Sequence, residues 1–539
     1  MSRRENSAAF SFELNHEGSI GVGGPHRPRQ HLAIPLPVQL YPRSARHNMH
    51  PALLVDELLQ EVFGHCCSDN EYRKTLVQLA RCCQAWKEPA LRKAWENLPN
   101  ITPLTNLVVS AIVLRFLPYN PLTPVQTIDR ASLEGLDNYA RMVKHVSLGT
   151  NVEKDTALEA LFHDTTPLFP NLQSVAVLMD GCAAPAVHLL LSPMLASVTA
   201  DIGVSTGRAA GVERSGNIAA YLSTLGSSSI PIQNLKIRGF ACEKLNRAAC
   251  GLSTLKSLSL KVGTSLSTMT VINIAIFPFL EELFIHADRV DAGSLKESLA
   301  FSSSPVFPNL RTLDIRSSVE VAATIIEHTR STSFTRFSIE VTQDDDPTWA
   351  HLYSVIPTTI QDIRIDHHID LDEPTNDTPD TVNDHPFTIK KLGALSKLTA
   401  LSAFRLETNA PVDFVDKDVE ELTKWWPTLK ILNLAISPDG ECKEGDQETQ
   451  MISWTPKLTV GCLCFAAKGW PHLESLELPI NLASESKQVA QDSPTHTLLH
   501  EFRIIPSLPT NSRTPLIDAN IAFIRNLFPF IRDDFSAFG

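Results

Sequence analysis

One six-residue pattern, apolar-x-x-apolar-x-apolar, returns thirteen times and constrains this chain more than any other feature. The clearest copies are LQSVAV from Leu172, LKSLSL from Leu255, LEELFI from Leu280, LRTLDI from Leu310, LKILNL from Leu429 and LESLEL from Leu473. Others start at Val143, Ile232, Phe334, Ile360, Leu401 and Leu499, and the weakest, LASVTA, at Leu195. Successive starts are 23 to 44 residues apart, most of them 23 to 30. Alternate residues of a strand point to opposite faces, so the fourth and sixth positions enter a core while the third and fifth face solvent. One such unit cannot bury its own apolar face, and stacked units can. The period therefore predicts an α/β leucine-rich solenoid, each unit giving a short strand and a returning helix or turn. Five copies follow an aromatic-proline pair: FPNL at 169–172 and 307–310, FPFL at 277–280, WPTL at 426–429 and WPHL at 470–473. Proline there ends a helix and costs the following strand no ladder hydrogen bond. The rival reading is a set of unrelated strands in several α/β domains, which 539 residues would otherwise imply. The recurring prefix favours the solenoid.

The repeat is irregular. Leucine-rich repeats often carry Asn or Cys eight residues after the first leucine, where it ties adjacent turns. Only Asn151, Asn409 and Asn481 stand there, which predicts uneven curvature. Polar insertions at 370–386, 437–450 and 483–497 are expected to be loops, and IDANIAFIRNLFPFI a closing amphipathic helix. Repeat proteins bind along their strands, so partner contacts are expected at the third and fifth positions. The candidates are Lys236, Glu282, Phe284, Asp314, Arg336, Asp362, Arg364, Arg405, Glu477 and Arg503. Phe284 is the aromatic among them and suits an interaction hot spot unless a neighbouring loop covers it.

Residues 1–47 are rich in Gly, Pro, Arg and Ser without periodicity and are read as a disordered tail. GSIGVGG within it lacks the strand, the helix and the Lys of a phosphate loop. No apolar signal core precedes it, Ser2 stands where myristoylation needs Gly, and no run is long enough to span a bilayer. The expectation is a chain of cytosol or nucleus with reduced thiols and no membrane role. A net charge of -13 argues against nucleic acid as a general partner.

Residues 48–103 read as three short helices, 104–139 as a helical linker and 140–539 as the solenoid. In LLVDELLQEVF, Leu54, Leu58, Leu59, Val62 and Phe63 fall on one helical face, with Asp56 placed to cap. In YRKTLVQLARCCQAW, Leu76, Leu79, Ala80, Cys83 and Trp86 line another, and Pro89 is expected to open a third helix carrying Leu91, Trp95 and Leu98. So small a unit is marginal alone, and an exposed apolar face on it suits a partner.

The paired cysteines, Cys66-Cys67 and Cys82-Cys83, are poor zinc ligands, since adjacent helical side chains diverge by about 100° and no CxxC occurs. Cys462 and Cys464 sit at strand alternation, which favours burial on one face. In DIRIDHHIDLDE the alternation turns Ile363, Ile365 and Ile369 inward and the polar residues outward, against a metal site. No hydrolase elbow, metalloprotease or kinase signature is present. No catalytic residue, metal or cofactor is expected.

HPALLVDELLQEVF followed by LVQLARCCQAWKEPALRKAWENL resembles the F-box, the adaptor-binding module of SCF ubiquitin ligases, and most of all its version in mushroom-forming fungi. Val55-Asp56 departs from the proline usual at the start of the first helix. The repeats resemble, in pattern only, the irregular leucine-rich domains attached to such modules. The resemblance implies docking on a Skp-type adaptor and through it a cullin, with a protein substrate held by the repeats. It implies adaptor contacts from Leu54, Val55, Leu58, Leu59, Val62 and Phe63, then Leu76, Leu79, Ala80, Cys83 and Trp86, then Trp95. Which of these form the module's own core, the sequence leaves open. The alternatives are an interaction scaffold without a ubiquitin-transfer role and, from another class, a hydrolase using dispersed residues.

Overall fold

Each of the thirteen hexads is a strand. The computed structural model describes residues 50, 55–66, 72–101, 103–104, 134–149, 167–178, 190–203, 208–263, 266–341, 346–367, 386–408, 410–436, 455–484, 496–504 and 515–531. The chain divides into Met1–Leu54, of which His50 is described, and a second unit, Val55–Gly539. The tail, Leu54, Cys67 and most of the linker and insertions lie outside the described residues.

The second unit is built on one fourteen-stranded sheet in chain order, with every neighbouring pair parallel. The strands are β1 (Asn97–Leu98), β2 (His145–Leu148), β3 (Ser174–Val177), β4 (Ser197–Gly203), β5 (Asn234–Gly239), β6 (Ser257–Val262) and β7 (Glu282–His286). There follow β8 (Thr312–Arg316), β9 (Arg336–Val341), β10 (Asp362–His367), β11 (Ala403–Thr408), β12 (Ile431–Ile436), β13 (Ser475–Leu478) and β14 (Glu501–Ile504). The sheet begins earlier than the repeat pattern does, because β1 pairs with β2 directly after the helical segment.

The register follows the hexads. Third position lies opposite third position from His145 and Ser174 to Ser475 and Glu501. All thirteen first positions have no solvent exposure, and the fourth and sixth are buried throughout. A one-residue slip would turn every apolar side chain outward, so the pattern fixes the register. The second-position amides add a backbone ladder, as where Lys256 N–H donates to Gln233 O at 2.7 Å and Gln361 N–H to Thr335 O at 2.8 Å.

Helices return the chain behind the sheet. The long α5 (Arg208–Ser227) follows β4, and α4 (Glu134–Ala140) precedes β2. Then α6 (Glu243–Cys250), α7 (Thr268–Ala275), α8 (Ala292–Ala300), α9 (Val319–His328) and α10 (Asp346–Val355) follow β5 to β9 in turn. After β10 come the single turn α11 (Ile389–Leu392) and a 3-10 turn, then α12 (Asp416–Trp425) after β11, α13 (Cys462–Gly469) after β12 and α14 (Pro515–Leu527) after β14. The last is the expected closing helix. All five prefix aromatics, Phe169, Phe277, Phe307, Trp426 and Trp470, are buried. Trp426 and Trp470 are the C-caps of α12 and α13, so the following prolines stop those helices as the sequence implied.

Several ties between turns come from a position the sequence reading missed, the residue just before a hexad. Thr254 Oγ1 donates to Ile232 O at 2.8 Å, Thr359 Oγ1 to Phe334 O at 2.6 Å and Thr428 Oγ1 to Leu401 O at 3.1 Å. Each acceptor is the first-position carbonyl of the preceding unit. Asn171 and Asn309, with longer side chains, reach two residues further back, to Arg141 O and Pro278 O, each at 2.7 Å. By contrast Asn481 Oδ1 accepts from the nearby Ala483 N–H, a local turn and no inter-repeat tie.

Two local readings are corrected. Cys462 and Cys464 lie on α13, not on a strand: Cys462 is buried and Cys464 half-buried. Gly461 and a short apolar run with small residues satisfy helix and strand periods alike, and packing of α13 against α12 decides between them. His367 points inward with Ile363 and Ile365, buried beside Thr408 Oγ1 at 3.1 Å and edge-on to Trp349.

Candidate protein-interaction surfaces

The N-terminal helices are α1 (Asp56–His65), α2 (Tyr72–Cys82) and α3 (Gln84–Glu96). Two expectations change here. Val55, not Asp56, is the N-cap of α1; Asp56 lies in the first turn, accepting from Gln60 and pairing with Arg92 at 3.4 Å. Cys83 does not continue α2, because it is extended (φ -156°, ψ 162°) and caps α3, which runs through Pro89. The break lets Trp86 meet Phe63 edge-on at 6.0 Å. It also leaves Pro89 in the second turn, where the donor it lacks costs one bond to the Ala85 carbonyl. The thiols are incidental: Cys66 and Cys82 donate to the carbonyls four residues back, and no disulfide joins the described cysteines.

The structure separates core from surface. Leu59, Phe63, Leu76, Ala90 and Ala94 form a small core of their own, with Leu79, Ala80, Trp86 and Trp95 packed half-buried against it. On α1 and its cap, Val55, Leu58 and Val62 remain 41%, 49% and 51% exposed, and Val77 on α2 44%. Positions 55, 58 and 62 share one helical face, so α1 carries one buried stripe and one apolar stripe in water. Cys83 is half-buried at the cap. Trp95 belongs to both cores and stacks on Tyr139 of α4 at 4.7 Å, which makes it part of the joint with the solenoid.

That joint is polar as well. Glu96 O accepts from Lys144 N–H at 2.9 Å, continuing the second-position ladder into the helices. Burial pushes the Glu96 carboxyl up, but bonds from Lys93 Nζ (2.7 Å) and Lys144 Nζ (3.0 Å) outweigh it and hold it below the usual carboxylate range. Beside it, burial lowers the His145 imidazole, whose Nδ1 lies 2.6 Å from Ser174 Oγ on the next strand.

The second surface is the open face of the sheet. Most charged candidates there are held in ion pairs, some with each other and some with neighbouring residues. Arg405 meets Asp362 at 2.6 Å, Arg364 meets Asp366 at 3.0 Å and Glu407 at 3.3 Å, and Arg336 meets Glu282 at 3.9 Å. Asp314 takes Lys261 at 3.5 Å, and Arg503 takes Glu501 at 3.7 Å. Glu477 is half-buried, and its carboxyl is raised by burial and by Glu501 and Glu407, against the pull of Arg503. Phe284 is half-buried, between Ser259 and Asp314 in register. Lys236 is exposed. Among the described residues no cluster of His, Cys, Asp or Glu is placed to hold a metal, and no helix is long and apolar enough to cross a membrane.

No family model matches the chain, and no curated protein sequence does. Among solved structures, leucine-rich repeat protein LegL7 from Legionella pneumophila is 13% identical, over 55% of this chain and 94% of its own, at a TM-score of 0.32. TLR13, solved with ssRNA13, is 13% identical over 69% of this chain and 48% of its own, at 0.35. A chain of the yeast Rad7–Elc1 complex is 11% identical over 70% of this chain and 97% of its own, at 0.31. The leucine-rich-repeat solenoid fold is carried by strand order and register, not by these likenesses.

Proposed function

We propose that this chain is the substrate-receptor subunit of an SCF-type ubiquitin ligase, with the helical module as a fungal-type F-box. In this reading the module docks on a Skp-type adaptor and thereby a cullin, and the open sheet face holds a protein substrate. The observation that carries it is the division of α1: a core completed without Val55, Leu58 and Val62, which are left in water as helix-in-groove anchors. The chain acts by proximity, raising the effective concentration of substrate at the transfer centre. Affinity purification of the intact chain tests this, with adaptor and cullin expected together. Absence of the adaptor refutes the proposal, and adaptor without cullin supports the scaffold alternative.

A further inference from the structure

The open face is two different surfaces, and we infer that the first half, β1 to β6, binds an extended acidic segment of a partner protein. The inference rests on the reading of this face as the partner-binding one and does not need the adaptor. The strands β7 to β14 carry eight carboxylates against five arginines, and those arginines are held in ion pairs within the face. The strands β1 to β6 carry three cations, Lys236, Arg238 and Lys261, against one carboxylate, Asp201. Lys261 reaches across to Asp314. Lys236 and Arg238 are exposed, two residues apart on one face of β5, with no carboxylate among the described residues within ion-pair distance.

A second cation stands at the other end of this half. Arg73 on α2 borders a cleft of about 300 Å³ floored by hydroxyls and small side chains, Ser147, Ser174, Ser197 and Thr199 among them, with no carboxylate in its lining. Its Nη2 donates to Asn97 O, its guanidinium lies over Tyr72, and its Nε is buried without a partner. The cleft lining offers this guanidinium no carboxylate, and an incoming oxyanion is complementary to its charge. In a chain of net charge -13, cations that form no ion pair among the described residues, at both ends of a serine-rich floor with Asp201 opposite Arg238 as its one carboxylate, are complementary to acidic groups. Neighbouring strands are about 4.8 Å apart, so Arg73 beside β1 and Lys236 on β5 are roughly 19 Å apart. An extended chain rises about 3.3 Å per residue, which places the two acidic groups about six residues from each other. Small polar residues between them fit the floor.

The test is fluorescence anisotropy with the full chain and a labelled peptide carrying two Glu-Glu pairs about six residues apart across a Gly-Ser spacer. Binding is expected to weaken with added salt, and to weaken about tenfold in Lys236→Glu/Arg238→Glu. Both positions are exposed, and an unchanged melting curve checks the fold. Arg73→Gln should weaken the same peptide, and a peptide with adjacent pairs should bind worse than the spaced one. Indifference to the β5 reversal, or equal binding of the Gln-Gln analogue, overturns the inference. A strong preference for a phosphorylated peptide or a single-stranded oligonucleotide overturns the choice of an acidic protein segment. Adaptor capture by the β5 variant is measured in parallel: peptide binding lost with adaptor retained sustains both readings, and peptide binding absent from the wild type with adaptor retained refutes this one alone.

Discussion

The division of α1 into two stripes makes a prediction that separates binding from folding. Leu58 and Val62 are about half exposed, whereas Leu59 and Phe63 are each 2% exposed. Full burial of a Leu or Val side chain is worth about 1.5–3 kcal/mol, so docking recovers roughly 1 kcal/mol from each residue's exposed half. An aspartate in its place must also be stripped of water in an apolar groove, at about 1–3 kcal/mol without a partner. Leu58→Asp with Val62→Asp should thus cost adaptor binding about 4 kcal/mol, roughly a thousandfold in Kd. Substitution of exposed residues stays within about 0.5 kcal/mol of wild-type stability. Phe63→Ala instead removes a core side chain and its edge contact with Trp86, at about 3–5 kcal/mol, which a core this small cannot absorb. Calorimetric titration with a Skp-type adaptor, beside thermal melts, reads both quantities. Adaptor affinity unchanged in the double aspartate variant, or a melting loss equal to that of Phe63→Ala, refutes the division.

Three further outcomes follow from the solenoid and its joint. Thr359→Val keeps the shape but leaves the Phe334 carbonyl without its 2.6 Å donor. It should cost about 1–2 kcal/mol in denaturant unfolding, more than the same change at a threonine without a tie. Gly239→Ala should be more severe, because Gly239 has φ +105° and an added Cβ would lie 2.7 Å from the Gly203 backbone. A soluble yield and melting point equal to wild type would contradict that close approach. The lowered Glu96 carboxyl contributes stability that is present above its unfolded pKa and is lost as pH falls through the folded value. Glu96→Gln should therefore destabilise at pH 7, with the difference from wild type closing in acid; a constant difference would refute the linkage.

The sheet was legible because each hexad states its own register: period two within the strand, an apolar residue ahead of it and often a proline ahead of that. Those signals are local, and thirteen repetitions make them mutually consistent. What was not legible depended on residues far away in sequence. Cys83 is extended because α3 packs where Trp86 can meet Phe63, and no periodicity within 72–86 records that contact. His367 turns inward because Thr408, forty-one residues on, offers it a bond across the strands. The inter-turn ties were visible as Thr or Asn before several hexads, but their meaning needed the previous unit's carbonyl. On the open face the sequence supplied the positions and the structure supplied the pairing, which makes Arg405 and Asp362 each other's partners and ties Arg364 to Asp366 and Glu407.

The joint between helices and sheet gives the ligase reading a mechanical consequence. Among the described contacts that hold the module are β1 in the sheet, Trp95 on Tyr139, and Glu96 between Lys93 and Lys144. Effective concentration at a transfer centre depends on how far the link between two binding sites can wander. Tyr139→Ala removes a ring contact worth about 0.5–1.5 kcal/mol beyond its area. Lys144→Ala removes one of the two lysines on Glu96, a partly exposed pair worth up to about 1 kcal/mol. Together they loosen the joint while leaving the α1 stripe and the open face untouched. Adaptor affinity and peptide affinity should each stay within about twofold of wild type, while ubiquitin transfer to a bound substrate falls. Hydrogen exchange at β1 should rise in the same variant, which reports the loosening independently. Faster exchange at β1 with an unchanged transfer rate would mean that a fixed joint is not what this architecture contributes.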